Sequence, residues 1–505
     1  MPGNKQTLRQ VLTSLAGSST LHGLPRTVSS GHIAVRILWG LLVLGATGLF
    51  CFQMVGLCRE YYSYPTKTSV QLQFSPLLFP ALTFCNMNPI RYFSDWHIHD
   101  GLYKMYDTSW LLDTIEDFTA DDLLGWGYDA ETVQILFEEF SNSRDTYEAW
   151  KQRILTELRK IPKENRTALG HQADVFIHSA TFGGYKIKSD QFSLFQSATY
   201  GNCYTLDQND LIARGGGQRH GITIVFNIEA NEYFKKSSSS YGVRMVIHEK
   251  GTTPLPENEG ISLDRAHETS VGIRLVQVKR LGGVYGNCTD GYDFVQRYKI
   301  NYTLPLCYSL CEMHHMVEFC DCIPLTSIDI EDFNKDICDF DNITQRNCTE
   351  DVYHKLEYGE IECDCRSRCK ESVYPLTLSG RSWPHREYLT DVLLKDVCKR
   401  NLTLTEIYYP DLCANLTQKN VRNEVLDKVV ENFLVAHIYF EDLNYELVSE
   451  EPLYNTVRFL SDIGGAMGLY MGASLLTYVE LLHVLLEIIL HLRTRRKTTI
   501  EPFKN

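Results

Sequence analysis

Two long apolar stretches, one near each end of the 505-residue sequence, constrain this chain more than any other feature. Residues 37–58, ILWGLLVLGATGLFCFQMVGLC, are 22 uncharged residues between Arg36 and Arg59. About 20 apolar residues suffice to cross a bilayer as a helix. A cleaved secretory signal does not fit, because 36 residues precede the stretch and a signal's apolar core runs to only about 7–15 residues. The second stretch covers residues 459–492, FLSDIGGAMGLYMGASLLTYVELLHVLLEIILHL, and stops at Arg493, Arg495, Arg496 and Lys497. Asp462, Glu480 and Glu487 interrupt it. Charged groups inside a span are expensive and face water or a protein interior.

The flanks orient both spans. Residues 1–36 carry Lys5, Arg9, Arg26 and Arg36 and no acid, while residues 493–505 carry five bases and Glu501. Positive flanks stay on the cytosolic side. Both termini are therefore expected in the cytosol of a two-span plasma-membrane protein, with the intervening segment outside. The N-x-S/T sequons at Asn165, Asn287, Asn301, Asn342, Asn347, Asn401 and Asn415 all fall in that segment, where a glycosylated chain must carry them. With +4 at each end and −3 in the second stretch, the net charge of −14 leaves −19 between the spans. Such a surface argues against nucleic acid as a partner. The whole-chain mean hydropathy of −0.21 conceals this polarity.

Cys51 and Cys58 belong to the first stretch and its end, leaving 14 of the 16 cysteines outside. Ten cluster between Cys288 and Cys369. Zinc is the competing reading, since Cys320-x-Cys322 and Cys363-x-Cys365 crowd thiols. Structural zinc, however, uses gaps of about two to four residues repeated in pairs, and an outside compartment is oxidising. Disulfides and no metal are expected. Spacing alone leaves the connectivity open. The order suggests a nested ladder: Cys288 with Cys369, Cys307 with Cys365, Cys311 with Cys363, Cys320 with Cys348 and Cys322 with Cys338. Cys85 with Cys203 and Cys398 with Cys413 complete the even count.

Between the spans the periodicity changes. Residues 66–85 alternate in places and read as strands; residues 90–160 read as helices. Fourteen acids face only Lys104 and Arg144 between Asp95 and Glu148. Such a run is ordinarily a solvated helix face, but its aromatics, Trp96, Trp110, Trp126 and Phe137 among them, also suit a ligand cleft. Residues 200–300 read as β-rich, with turns at 214–220 and 249–260. Gly215-Gly216-Gly217 lacks the Lys-Ser/Thr of a phosphate loop. The pairs His97/His99 and His314/His315 lack a third metal ligand, and no catalytic constellation stands out.

In the second stretch, Gly464, Gly468 and Gly472 recur every four residues, a spacing that lets membrane helices approach closely. Asp462 and Glu480 lie 18 residues apart, about five turns, so an unbroken helix places them on one face. Glu487 falls near the same face. A stripe of carboxylates in a two-span protein is satisfied by an oligomer around a water-filled axis, where rings of acids attract cations. Gly472-Ala473-Ser474 lets the backbone leave helical geometry and offer carbonyls, which is tolerated at that depth only beside water or protein.

These residues also resemble a known family. His22-Gly23, the tyrosine-rich exit ending Tyr64-Pro65, Phe79-Pro80-Ala81-Leu82-Thr83-Phe84-Cys85-Asn86, Tyr200-Gly201-Asn202-Cys203-Tyr204, the ten-cysteine cluster and Gly472-Ala473-Ser474 resemble the degenerin/epithelial sodium channel family. The resemblance implies a membrane α+β fold: a trimer with two transmembrane helices per subunit and a large disulfide-rich extracellular domain of palm, β-ball, finger, thumb and knuckle. It implies cytosolic residues 1–36 with a re-entrant segment at His22 and Gly23, spans at 37–58 and 460–492, an extracellular domain at 59–459 and a cytosolic tail at 493–505. Within that domain the finger would fall near 88–170, the thumb near 288–370 and the knuckle near 371–420. Gly472, Ala473 and Ser474 match the constriction linked to sodium selectivity, and Glu480 an acid below it. Ser461, beside Asp462, matches a position where bulky side chains hold such channels open. Tyr285 stands where the family has tryptophan, opposite Tyr61, Tyr62 and Tyr64, and cysteines frequent in the family near residues 178–182 are missing.

Local likeness is strongest to invertebrate FMRFamide-gated sodium channels, at Leu21-His22-Gly23-Leu24-Pro25-Arg26, Cys85-Asn86-Met87-Asn88-Pro89, Gly170-His171-Gln172 and Glu268-Thr269-Ser270-Val271-Gly272-Ile273. The expectation is a homotrimeric, sodium-selective, amiloride-sensitive channel in membrane lipid, not an enzyme. It needs no cofactor, Na+ being the permeant ion. An extracellular amidated neuropeptide would open it from a pocket drawing on Trp96, Trp110, Asp121, Asp122, Trp126 and Phe137. A proton-gated or constitutively open channel is the alternative within the family. A two-span ectoenzyme or an adhesion protein is the alternative outside it.

Overall fold

The computed structural model describes residues 19–92, 143–234, 237–325, 335–339, 342–399, 412–417 and 421–474, and isolated positions beyond these, among them 476, 477, 479, 480, 482, 483, 486 and 489. Trp96, Trp110, Asp121, Asp122, Trp126, Phe137, Asn401 and Glu487 lie outside the described residues. The chain divides into two compact units, residues 1–69, 283–286 and 450–505 in one, and residues 70–282 and 287–449 in the other.

The first unit holds the long helix Ile33–Tyr62, which extends the apolar stretch by several residues at each end. Among the described residues it is the one helix long and apolar enough to cross a membrane. Its C-terminal end is set by Pro65, which has no amide hydrogen and disfavours helical geometry in the residue before it. Tyr64 is left-handed, with φ 49°. The second helix, Thr456–Met471, starts where Asn455 accepts the Arg458 amide at 2.8 Å, a side-chain N-cap. Pro65 and Leu453 tie the end of the first helix to the start of the second, the Leu453 amide donating to the Pro65 carbonyl at 2.8 Å.

The second unit is built on β-sheets. A five-stranded sheet runs in the order Ile261–Leu263, Val243–His248, Ala81–Asn86, Gly201–Leu206, Ser193–Ser197. Its middle strand, ALTFCN, is buried along its whole length, which is why it lacks alternation: both faces meet protein. Cys85 and Cys203 are direct register partners there and are bonded across the strands. A six-stranded sheet has the order Leu376–Ser382, His267–Ile273, Phe433–Phe440, Ile222–Asn227, Ile177–Phe182, Tyr185–Ile187. Its 267–273 and 433–440 strands run parallel. Phe84 meets Phe226, and Phe79 meets Phe440, both at 5.1 Å between ring centres, in the largest apolar core of this unit.

Seven disulfides form, five of them nested: Cys288 with Cys369, Cys307 with Cys365, Cys311 with Cys363, Cys320 with Cys348 and Cys322 with Cys338, beside Cys85 with Cys203 and Cys398 with Cys413. Cys307 and Cys311 stand one turn apart on the helix Leu304–Cys320. Cys363 and Cys365 follow the helix Ile343–Glu357, in chain that forms neither helix nor strand. Four residues of helix advance about 6 Å; opposite them Cys363 and Cys365 flank a tight turn in which the Cys365 amide donates to the Cys363 carbonyl at 2.7 Å. His315 lies near Cys311 and Cys363, but a disulfide leaves no thiolate for a metal. Asn165, Asn287, Asn301, Asn342 and Asn347 are exposed and Asn415 is half-buried.

Candidate ion pathway

In the first unit the helix Thr456–Met471 carries Ser461 and Asp462 one turn inside its start. Ser461 Oγ donates to the Val457 carbonyl at 2.9 Å, and the Tyr454 hydroxyl donates to Asp462 Oδ2. Among the described residues nothing lies within 4 Å of where a Cβ would project from Gly464 or Gly468. The helix ends at Gly472, whose φ of 62° is left-handed, the conformation glycine adopts at helix C-termini. Residues 472–474 are neither helix nor strand, and helical geometry returns by Leu476. The backbone therefore leaves the helix at Gly472-Ala473-Ser474.

That break corrects the reading of Asp462 and Glu480 as neighbours on one face of an unbroken helix. Five continuous turns are needed for that alignment, and the turns are not continuous. Each carboxylate instead has its own partner: Tyr454 for Asp462, and Thr20, whose hydroxyl donates to Glu480 Oε2 at 2.7 Å. The second apolar stretch is likewise not one helix among the described residues.

The N-terminal segment packs into the break. The His22 amide donates to the Met471 carbonyl at 3.1 Å. A Cβ on Gly472 would lie 1.6 Å from His22 Nδ1, so only glycine admits the ring. Gly23 is also left-handed, at φ 86°, and a Cβ there would press on Val43 and Trp39 at 3.0 and 3.3 Å. His22 and Gly23 thus join Gly472-Ala473-Ser474 in space although some 450 residues separate them in sequence. Thr20 and Thr477 join them too. Neither stands out in sequence, since a hydroxyl amid apolar residues gives no periodic signal.

The tyrosines divide. Tyr61 stacks on Phe459 at 4.3 Å, 15° from parallel, and meets Tyr454 edge-on at 6.4 Å. Tyr285 meets Tyr64 edge-on at 5.3 Å. Of the tyrosine cluster expected opposite Tyr285, Tyr64 is the ring that it meets, while Tyr61 turns to Phe459 and Tyr454.

In the second unit, three of the short motifs singled out above meet. Asn88 Oδ1 accepts from the Phe234 amide at 3.2 Å and Ser237 Oγ at 2.7 Å, which assigns its nitrogen. That nitrogen lies 3.0 Å from His171 Nε2. Nε2 therefore accepts, and the ring donates through Nδ1 to Glu229 Oε2 at 2.7 Å. Asn202 Nδ2 donates to the His171 carbonyl at 3.2 Å and Tyr204 Oη donates to it at 2.6 Å. A Cβ on Gly201, at φ 67°, would lie 2.3 Å from the Pro89 carbonyl oxygen. Glu268 of the fourth motif lies apart, accepting from Arg381 Nε at 2.7 Å and 3.0 Å from His437 Nε2. The Arg381 guanidinium holds the Glu268 carboxyl below its usual range, while burial pushes the His437 imidazole down.

An apolar helix leading into a disulfide-stapled β-rich domain, and a second helix broken at small residues beside a carboxylate, are the parts of a membrane ion channel. The chain matches the family described as "Amiloride-sensitive sodium channel" over residues 15–484 and belongs to that family, one of ion channels and not of enzymes. It is 24% identical to the epithelial sodium channel subunit alpha of Neoceratodus forsteri, across 98% of this chain and 83% of that one. It is 26% identical to the subunit gamma of Xenopus laevis, across 95% and 80%. It is also 22% identical to the FMRFamide-activated amiloride-sensitive sodium channel of Cornu aspersum, across 95% and 83%.

Proposed function

We propose that this chain forms a homotrimeric, sodium-selective, amiloride-sensitive channel of the plasma membrane, opened by an extracellular FMRFamide-type neuropeptide. Both apolar stretches cross the membrane, the termini are cytosolic, and the glycosylated, disulfide-rich domain is outside. Gly472, Ala473 and Ser474 form the constriction, Glu480 and Glu487 supply charge beyond it, and Ser461 and Asp462 stand at the gate.

The observation that carries peptide gating is the junction of Asn88, His171 and Asn202. It joins the chain that leads into the acidic segment, Asp95 to Glu148, to the chain that follows it. On one side the Arg91 amide donates to Leu169 O at 3.0 Å and the Tyr92 amide to Glu232 O at 2.7 Å. On the other, Ile154, Leu158, Ile161 and Leu169 share an apolar cluster with Ile90 and Phe234. A peptide held by the aromatics and acids of that segment thereby pulls on a junction continuous with the core sheet. The likeness to a channel whose name states FMRFamide activation supports the same reading. A ligand shifts an equilibrium only by its differential affinity for the two states, so the pocket must fit the open form better.

Oocytes expressing this chain alone, given FMRFamide in sodium and then potassium solution with and without amiloride, test the proposal. The expected result is an amiloride-blocked current that reverses near the sodium potential. A chain present at the surface but silent to the peptide, and opened instead by acid, would replace peptide gating with proton gating.

A further inference from the structure

Two of the seven sequons carry a bonded cysteine at their centre. In Asn287-Cys288-Thr289 the cysteine is joined to Cys369, and in Asn347-Cys348-Thr349 it is joined to Cys320. Both asparagines are exposed, so accessibility does not separate them. Backbone geometry does. An enzyme that reads the asparagine and the threonine together needs both side chains on one face. Residues two apart share a face on extended chain and do not face each other on a helix. Asn347, Cys348 and Thr349 lie inside the helix Ile343–Glu357, where the Thr349 hydroxyl donates to the Arg346 carbonyl at 2.8 Å. Asn287 to Thr289 lie outside any helix, and Thr289 bridges to Arg368.

Once the fold closes, neither sequon is available. Thr289 Oγ1 accepts the Gly291 amide at 3.0 Å, and the Thr289 amide donates to the Ser367 carbonyl at 2.9 Å. The helix Ile343–Glu357 has 15 residues, a length that is marginal in isolation. It is therefore held by the bond from Cys348 to Cys320, beside the apolar cluster of Met316, Cys320, Cys322 and Val352. Sugar must reach each asparagine before its neighbouring cysteine is bonded.

The chain order of the cysteine partners separates the two sites. Cys369 follows Cys288 by 81 residues, and synthesis at about 5–20 residues per second delivers it roughly 4–16 s later. Asn287 thus passes the transferring enzyme before the native partner of Cys288 exists. Cys320 precedes Cys348 by 28 residues, so it is already waiting when Asn347 arrives. Catalysed closure takes as little as seconds, on the scale of the chain's passage. We propose that Asn287 is a filled N-glycosylation site and Asn347 a competed one, at which closure of Cys320 with Cys348 races sugar transfer. In transfer, Asn347 Nδ2 loses one proton and bonds to the sugar's C1 as the bond from C1 to the lipid pyrophosphate oxygen breaks. In closure, the two thiols give two electrons and two protons to a disulfide oxidant of the secretory lumen. Closure excludes transfer, whereas transfer onto the exposed Asn347 leaves closure open. The mature protein is a mixture of two forms that differ by one glycan on this helix. This rests on the extracellular placement of the segment proposed above.

The test is site occupancy in the full-length chain made by animal cells. A glycan-releasing amidase in heavy-oxygen water converts each sugar-bearing asparagine to a mass-tagged aspartate, which peptide mass spectrometry counts. Asn287 is expected nearly filled and Asn347 mostly empty. Cys320→Ser should raise Asn347 to the level of Asn287, whereas Cys369→Ser should leave Asn287 as it was. Transfer precedes folding, so a variant that fails to fold still reports. A thiol reductant present during synthesis should fill Asn347 in the unmutated chain. Asn342 should not respond: its sequon has no cysteine, and it caps the same helix through Oδ1, not through Nδ2. Equal occupancy of Asn287 and Asn347 in the unmutated chain, or an Asn347 that stays empty in Cys320→Ser, overturns the race. Sugar at no sequon would instead overturn the extracellular placement.

Discussion

Acid should destabilise the extracellular unit through His248, and the size of the effect follows from how the ring is held. Thr252 Oγ1 donates to the Glu249 carbonyl at 2.6 Å, so at 3.1 Å it accepts from His248 Nδ1. Nε2 then accepts from Thr83 Oγ1 at 2.9 Å. The ring is neutral, 8% exposed, and burial pushes its pKa down from 6.5 to about 4. A histidine whose folded pKa is depressed stabilises the fold in its neutral form. That contribution is complete above the unfolded value and is lost as pH falls from 6.5 through 4. At about 1.4 kcal/mol per pKa unit, the loss reaches about 2.5 kcal/mol by pH 4.5 and about 3 kcal/mol below pH 4. The assay is unfolding of the detergent-solubilised full-length protein at pH 7.5, 6.5, 5.5 and 4.5, for the wild type and for His248→Gln. Glutamine can occupy both hydrogen bonds but does not titrate. The wild type should lose stability relative to the variant progressively below pH 6.5. Two profiles separated by a constant offset across that range would refute the argument.

Two further substitutions probe other parts of the molecule. Gly472→Ala should cost about 1–2 kcal/mol for its left-handed backbone and also expel the His22 ring, so sodium current should fall sharply at normal surface density; an undiminished current would contradict the packing. Removing Cys85 and Cys203 together, which closes a loop of 118 residues at fully buried positions, should cost about 2–5 kcal/mol and deplete the channel from the surface, as surface biotinylation would show.

Much of the frame was legible in the sequence because it is local. The first span needs only composition, and the shrinking intervals between cysteines carry their own order. The strands near 81–86, 222–227 and 243–248 could be placed from apolar runs and turns. Contacts across the chain were not legible. The parallel pairing of 267–273 with 433–440 joins segments without a shared local signal. The alignment of Asp462 with Glu480 failed because helical periodicity cannot report a break. Gly472-Ala473-Ser474 showed that the backbone could leave the helix there, but not that His22 would fill the gap. Thr20 and Thr477 were overlooked for the same reason: their meaning lies in a partner more than 450 residues away.

The matched spacing of Cys307 and Cys311 against Cys363 and Cys365 works as a vernier. One turn of helix and one tight turn of chain coincide at two marks, and a slip of one residue on either misaligns both. The helix Leu304–Cys320 therefore cannot creep along its partner segment to absorb a load. Cys320 bonded to Cys348 pins its far end to the helix Ile343–Glu357 as well. Force applied anywhere along this pair is delivered to its base, where Cys288 meets Cys369, as rotation of a lever and not as stretch.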